Sequence, residues 1–507
     1  MKRPKISITS IKDFVASRRF FTAVVVVFIV QAVWIAISSN YPMAFDEDFH
    51  MGLIKLYSEH LSPFWSSHPA GGDAFGALTR DPSYLYHYLL GILYIPINAV
   101  IHSFSAQIII FRLINICLFA SGLYIFRKLL LASKASSLIV NLSLLLFVLI
   151  PVVPLLGAQI NYDNLIIPIT AYCLLLGLNF VHSLKKNSFN LIVLLKLIAV
   201  CLFGSLVKYA FLPIFLSLII FILFYFFRQY SVSKKIKTSI ISSWKISKKP
   251  AVYILLGLIL ILSFMAVERY GVNIVKYHKP VPDCGQVLSY DNCKAYGPWI
   301  RDYNFSKNKH EHINTSPTAY STRWAYGMWL RSYFSVGGKI SDYQSRGPLY
   351  WPAISGAIFI ISGFFVLLLK YRQVFKKYYS PAILLFSVAT VSTVTILWAT
   401  QYQFFLETNQ PVAINGRYLF PVAPLILCLF LLGYNELVKS QIIKTALISL
   451  LIFCALLGGG AMTYILRSHP TWYWSNSPTN SMNEYMKRNI GPLIPGYNKQ
   501  ILFLRKV

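Results

Sequence analysis

The chain has 507 residues, of which 56% are hydrophobic and 13% charged, and its mean hydropathy is +0.57. A soluble domain carries about 25% charged residues, so a string of soluble domains is excluded, as are a disordered chain and a small disulfide scaffold. The formal charge of +30, from 47 Lys and Arg against 17 Asp and Glu, would suggest nucleic acid in a soluble protein. In a chain this apolar it fits basic cytoplasmic loops and anionic headgroups, and no nucleic-acid partner is expected.

A bilayer core takes about 20 apolar residues per helix. Eleven runs fit that length or approach it, near 20–39, 108–126, 137–156, 164–182, 190–206, 210–227, 251–267, 351–369, 380–398, 418–435 and 444–466. A twelfth stretch, 84–103, contains His87, Pro96, Asn98 and His102. Leaving it out places Lys2, Arg3, Lys5, Lys12, Arg18, Arg127, Lys128, Lys185, Lys186, the basic residues between Arg228 and Lys249, and those between Lys370 and Lys377 on the cytoplasmic side, as the positive-inside rule requires. The same count puts every acid except Asp13 and Glu436 outside the cytoplasm, none of them in the middle of an apolar run. The expected architecture is therefore an all-α polytopic membrane protein of about eleven transmembrane helices with juxtamembrane helices on the outer face. Its segments are a transmembrane module over 1–267 with a first outer loop at 40–107, a long outer loop at 268–350, further transmembrane helices over 351–466, and an outer tail at 467–507. Residues 1–19 are basic and lead into a full-length span with no small-residue cleavage site, so they read as a retained anchor with a cytoplasmic N-terminus.

Five cysteines (Cys117, Cys173, Cys201, Cys428, Cys454) lie in apolar runs, where cysteine acts as a small hydrophobe. Cys284 and Cys293 lie in the long outer loop, where a disulfide fits an oxidising compartment and two free thiols are the alternative. No second pair at ligand spacing supports zinc.

Directly after the first span comes AFDEDFHMGLIKLYSEHL, residues 44–61. Asp46, Glu47 and Asp48 are three adjacent carboxylates at a membrane boundary, and their mutual repulsion invites a functional explanation. If 46–61 is helical, Asp46 stands at its start and shares a face with His50, while an acid there also serves as an ordinary N-cap. His50 reads as a packing or hydrogen-bonding residue. Asp163, in QINYDNLII, lies in a short connection expected on the same face, where it could equally make the turn. Cations expected at this level are Lys208 in LVKYAFLP, Arg417 in INGRYLFP, Arg80 and Arg112. Each could snorkel to headgroups or hold a phosphate. Hard carboxylates on two loops permit Mg²⁺ or Mn²⁺ at Asp46 and Asp163 without requiring either.

In this order the motifs resemble the multispan GT-C glycosyltransferases that use polyprenyl-phosphate sugars, the superfamily of the protein O-mannosyltransferases and the aminoarabinose transferase of lipid A. Asp46-Glu47 is similar to the acidic pair after span one, and DPSYLYHYLLG at 81–91, with Tyr86, is similar to a Pro-Pro-x-Tyr-Tyr juxtamembrane segment. FRLINICLFASGLYIFRKLL at 111–130, NYDN at 161–164, LVKYAFLPIFL and GRYLFPVAPLI follow as likenesses of later family segments. Val207 stands where the family has Thr, Ile114 where it has Pro, and a single Pro82 precedes the tyrosines. The resemblance implies a GT-C-like fold and inverting sugar transfer from a polyprenyl-phosphate donor to a glycan, lipid or protein acceptor, at the periplasmic face of a bacterial inner membrane. It makes Asp46 the general base, with Glu47 and Asp163 beside it, and Lys208, Arg417, Arg80 and Tyr86 the groups that meet donor phosphate or substrate.

The long outer loop is rich in aromatics, among them Trp299, Tyr303, Tyr320, Trp324, Tyr326, Trp329, Tyr333 and Tyr350. RWAYGMWLRSYF reads as an amphipathic helix lying on the membrane, and TWYW at 471–474 as either an interfacial belt or a sugar platform. The rival functions are a transporter or flippase of lipid-linked saccharides, for which Lys196 is the one charge clearly within a run, and a polysaccharide polymerase without the Asp46 chemistry.

Overall fold

The computed structural model describes residues 8–43, 46–232, 234–246, 249–307, 316–333, 348–475 and 477–498. Lys2, Arg3, Lys5 and part of the long loop and of the tail lie outside the described residues. Every regular element among those described is a helix, apart from a single antiparallel bridge between Ser39 and Tyr473.

Among the described residues eight helices are long and apolar enough to cross a membrane: Arg18–Ser38, Phe104–Leu131, Asp163–Lys185, Tyr209–Ser231, Pro250–Tyr277, Tyr350–Lys377, Ser380–Thr408 and Gln441–Arg467. The build is that of a multi-pass helical membrane protein. The remaining expected spans are shorter than a bilayer requires: Ser137–Val148, Leu191–Val207 and Ala423–Leu437. The run 137–156 is broken because Pro151 lacks an amide hydrogen and disfavours helical backbone at Ile150, and the chain restarts as Val152–Gly157. The last span is interrupted where Gly458 and Gly460 take positive φ, 145° and 59°. This bend lets Gly460 N–H reach the Leu149 carbonyl at 2.8 Å and Ala461 N–H reach Gln31 Oε1 at 2.7 Å, joining the last span to the broken helix and to the first span.

The stretch 84–103 becomes a helix of 16 residues, Leu85–Val100, packed lengthwise on Glu47–Ser58. The two backbones approach so closely at Gly91 that a Cβ there would sit 3.0 Å from Ile54 O and Ser58 N. Beneath them, Phe28 stacks on Phe119 at 4.8 Å, Phe119 on Phe147 at 6.0 Å, and Phe147 meets Phe420 edge-on at 5.8 Å. That aromatic column ties the first two long helices, the broken helix and the 416–420 turn into one core under the acidic turn. Large apolar side chains such as Leu260, Ile261 and Phe264 remain exposed around the bundle, the surface a lipid phase would cover.

Candidate functional site

Asp46 and Glu47 are consecutive and part company. Glu47 opens the helix Glu47–Ser58 and is fully buried. Its Oε1 accepts from Arg112 Nε at 2.9 Å and its Oε2 from Arg112 Nη2 at 2.7 Å, a bidentate pair. Met43 N–H at 2.8 Å and Ile160 N–H at 3.3 Å complete the shell. Arg112 spends its remaining donors on the carbonyls of Ala36, Ser39 and Asn40 at 2.8, 2.6 and 2.9 Å. The pair welds the end of Arg18–Ser38 to Phe104–Leu131, so neither member is available to substrate. Sequence position alone could not separate Glu47 from its neighbour.

Asp46 sits in the left-handed region, with φ 64° and ψ 36°. An L-residue occupies that region at a cost, which Asp bears better than most. Its side chain makes no cap hydrogen bond, so the capping alternative does not hold. The carboxylate is 67% exposed and meets Arg417 Nη2 through one long contact of 3.4 Å. Arg417 is mostly buried, carried on the short turn Gly416–Leu419, where Asn415 Oδ1 accepts the Arg417 N–H at 3.1 Å.

Asp163 begins the helix Asp163–Lys185 and forms a short, buried ion pair with Lys208 Nζ through its Oδ1. The ammonium also lies over the rings of Tyr162, at 4.3 Å, and Tyr418, at 5.3 Å. Asp163 Oδ2 is buried without a hydrogen-bond partner. Asp46, Arg417, Lys208 and Asp163 thus converge from four separate segments, as the sequence led us to expect. The donor set suits an anion better than a hard cation: each carboxylate already faces a protein cation, and among the described residues no group of three His, Cys, Asp or Glu side chains could hold a metal ion.

Two sequence-level assignments land elsewhere. Tyr86 is buried and donates its hydroxyl to Asn115 Oδ1 at 2.9 Å, an oxygen that also accepts from Asn164 Nδ2 at 3.0 Å and Asn161 N–H at 3.3 Å. It braces the turn before Asp163 and does not face the exposed carboxylate. Arg80 pairs with Glu268 Oε1 at 2.8 Å. Its partner lies on a wide helical turn, Val267–Gly271, whose Arg269 is fully buried between the rings of Phe64 and Tyr84, at 5.0 and 4.9 Å. These charges fasten the first loop to Pro250–Tyr277.

A histidine pair that sequence reasoning missed lies behind the acids. His50 Nδ1 and His87 Nε2 are 2.8 Å apart with their rings stacked, and Tyr162 meets the His50 ring edge-on at 4.6 Å. Burial first, then the neighbouring His87, Arg417 and Lys208 groups, hold His50 well below the ordinary imidazole value, and burial pushes His87 down to about 3. Both rings are therefore neutral near pH 7. His50 does share the helix with Asp46, whose carbonyl accepts the His50 N–H at 3.0 Å.

The disulfide Cys284–Cys293 is formed. Its loop sets Tyr296 against Phe49 at 6.0 Å, and Asn292 Nδ2 against Asp73 Oδ1 at 3.2 Å, roofing the first loop. Residues 323–333 of the RWAYGMWLRSYF segment are helical within Pro317–Tyr333, and Phe334 lies outside the described residues, but Tyr320, Trp324 and Met328 are buried against Phe405 and Ile414 of the protein, and Trp324 Nε1 donates to Gln401 Oε1 at 2.5 Å. The expectation of an aromatic face laid on lipid is thus corrected. The TWYW run is corrected too, because Trp472 and Tyr473 are buried. Asn40 N–H donates to Trp472 O at 2.7 Å and Trp474 N–H to Ser38 O at 3.2 Å, so the tail grips the strand-like end of the first span.

Beside the Arg417 turn opens an apolar cavity of about 160 Å³, lined by Leu149, Trp329, Phe359, Gly416, Leu419, Phe420 and neighbours. Lys196 is exposed on its helix, Leu191–Val207. No family model matches the chain, and no curated protein or solved structure is detectably similar to it.

Proposed function

We propose that the protein is a membrane glycosyltransferase that moves a sugar from a polyprenyl-phosphate donor onto an acceptor hydroxyl with inversion, at the outer face of a bacterial inner membrane. The observation that carries this reading is the exposed, left-handed Asp46 carboxylate beside the buried cations Arg417 and Lys208, with an apolar cavity opening at the same turn. In the proposed step the acceptor oxygen attacks the anomeric carbon while Asp46 takes its proton, and the bond from that carbon to the phosphate oxygen breaks, leaving polyprenyl phosphate. Arg417 and Lys208 stabilise the negative charge that grows on the departing phosphate. Asp163 holds Lys208 in place. The cavity beside Gly416 offers the first isoprene units a dry surface. Glu47 and Tyr86 then act through position, not by touching substrate. One displacement needs one base and no covalent intermediate, so a single exposed carboxylate suffices for it.

A transporter of lipid-linked saccharides draws no support from Lys196. The deciding experiment is reconstitution of purified protein with polyprenyl-phosphate sugars and a panel of envelope acceptors. Asp46→Asn is expected to abolish transfer while the protein still folds. Undiminished transfer by that variant would remove Asp46 as base, and the mechanism with it.

A further inference from the structure

At the end of the bundle remote from Asp46, three connections meet around one ring. Tyr379 joins Tyr350–Lys377 to Ser380–Thr408 and donates its N–H to the Ser133 carbonyl at 2.9 Å. Lys134 Nζ lies 5.9 Å and Lys185 Nζ 5.5 Å from the Tyr379 ring centroid, and His182 Nδ1 is 3.4 Å from its hydroxyl. Lys186 is exposed next in the chain. The helix Lys234–Ile246 docks alongside, with Ile236 buried against Phe180 and Leu184, and Ser239 Oγ accepting the Phe189 N–H at 2.8 Å. It adds exposed Lys235 and Lys237.

None of Lys134, Lys185, Lys186 and Lys235 has a carboxylate partner among the described residues. The nearby acid Glu436, in the last turn of the helix Ala423–Leu437, is engaged by Lys377 at 2.7 Å and by the Tyr378 hydroxyl at 3.1 Å. Ammonium groups gathered around one ring repel one another, and that repulsion is relieved when an anion sits among them. The depth of the cluster identifies the anion. Lys134 and Lys185 lie at or just beyond the ends of helices long enough to cross a bilayer, Phe104–Leu131 and Asp163–Lys185, which puts their charges at headgroup level. Below them, Gln229 Nε2 donates to Asn187 Oδ1 at 2.8 Å, bringing the end of Tyr209–Ser231 beside the hairpin, and that helix leaves Phe224 and Phe227 exposed where acyl chains would run.

We propose that the Lys134, Lys185 and Tyr379 cluster binds the headgroup phosphate of an anionic phospholipid, whose chains lie along the exposed Phe224 and Phe227 face. The site owes nothing to the Asp46 chemistry and stands whether or not the protein transfers sugar. Its test is native mass spectrometry of the full-length, detergent-solubilised protein titrated with phosphatidylglycerol and, separately, with phosphatidylcholine. Wild type should retain phosphatidylglycerol preferentially. Near a charged surface each lysine contributes roughly five-fold in affinity, so Lys134→Asn with Lys185→Gln should weaken retention by roughly ten- to thirty-fold. Lys294→Gln with Lys307→Gln, in the disulfide-bearing loop, should leave it unchanged. Lys185→Gln alone, at an exposed helix end, carries the test if the double variant does not purify. Equal retention of the two lipids, undiminished retention in the variants, or displacement of phosphatidylglycerol by excess inorganic phosphate would each overturn the proposal.

Discussion

Two neighbouring acids, each facing an arginine, mark the contrast between a buried joint and an exposed edge. Glu47 and Arg112 are wholly buried, bidentate at 2.9 and 2.7 Å, with every remaining donor of the arginine committed to backbone carbonyls. Asp46 and Arg417 touch once at 3.4 Å, and the carboxylate is 67% exposed. The first arrangement spends its electrostatics on holding three segments together. The second leaves a charged oxygen reachable from solvent while its backbone stays in an uncommon conformation, which the surrounding clamp must sustain. The joint fixes the edge.

That comparison breaks most sharply at Asp46. Asp46→Asn should lower sugar transfer by roughly 10²- to 10⁴-fold, the contribution of a positioned base, with no change in thermal midpoint. A variant that lost stability in proportion to activity would erase the distinction drawn here. Arg112→Ala should do the reverse in kind. It strands the Glu47 carboxylate in the interior at a cost of about 3–5 kcal/mol, read as a large drop in the midpoint of thermal unfolding in micelles. Glu47→Gln with Arg112→Met should recover part of that loss by removing both charges. Lys208→Met should lower kcat/KM for the lipid-phosphate donor by roughly ten- to hundred-fold, as expected for a hydrogen bond to a charged group, and leave the acceptor KM alone. An unchanged donor kcat/KM would confine Lys208 to its bond with Asp163. A further effect, absent at neutral pH, concerns acid. The native state keeps His87 neutral, with its value down to about 3 from an ordinary 6.5, so the unfolded chain binds the extra proton between those limits. Stability should be complete above about 6.5 and fall as the pH drops toward 3, and His87→Asn should flatten that slope in a pH series of thermal melts.

Much of the architecture was legible because a bilayer imposes length and polarity on every helix. The apolar runs mark all eight long helices, and 84–103, left out of the spans on parity of charge, forms a helix of 16 residues. The broken run at 137–156 was less legible, since Pro151 and Pro154 sit in a stretch whose hydropathy never falters. At the site, Asp46, Asp163, Lys208 and Arg417 could be gathered from their common expected depth. Depth says nothing about direction, so Glu47 could not be told from Asp46, nor could Tyr86 be seen to turn toward Asn115. The His50 and His87 contact joins residues 37 apart through the packing of two helices on each other, a geometry that no local pattern encodes. The aromatic tail was misjudged for a similar reason: Trp and Tyr suit a membrane belt, a sugar face and a protein interior alike, and only the partners decide.

The grip of the tail on the first span has a consequence in time. Asn40 Nδ2 donates to Thr471 O at 3.2 Å, across 431 residues of sequence. At synthesis rates of about 5–20 residues per second, that partner emerges roughly 20 to 90 seconds after the loop it braces. During biogenesis the end of the first span waits for the 471–474 segment, and until that segment is made the acidic turn lacks this brace.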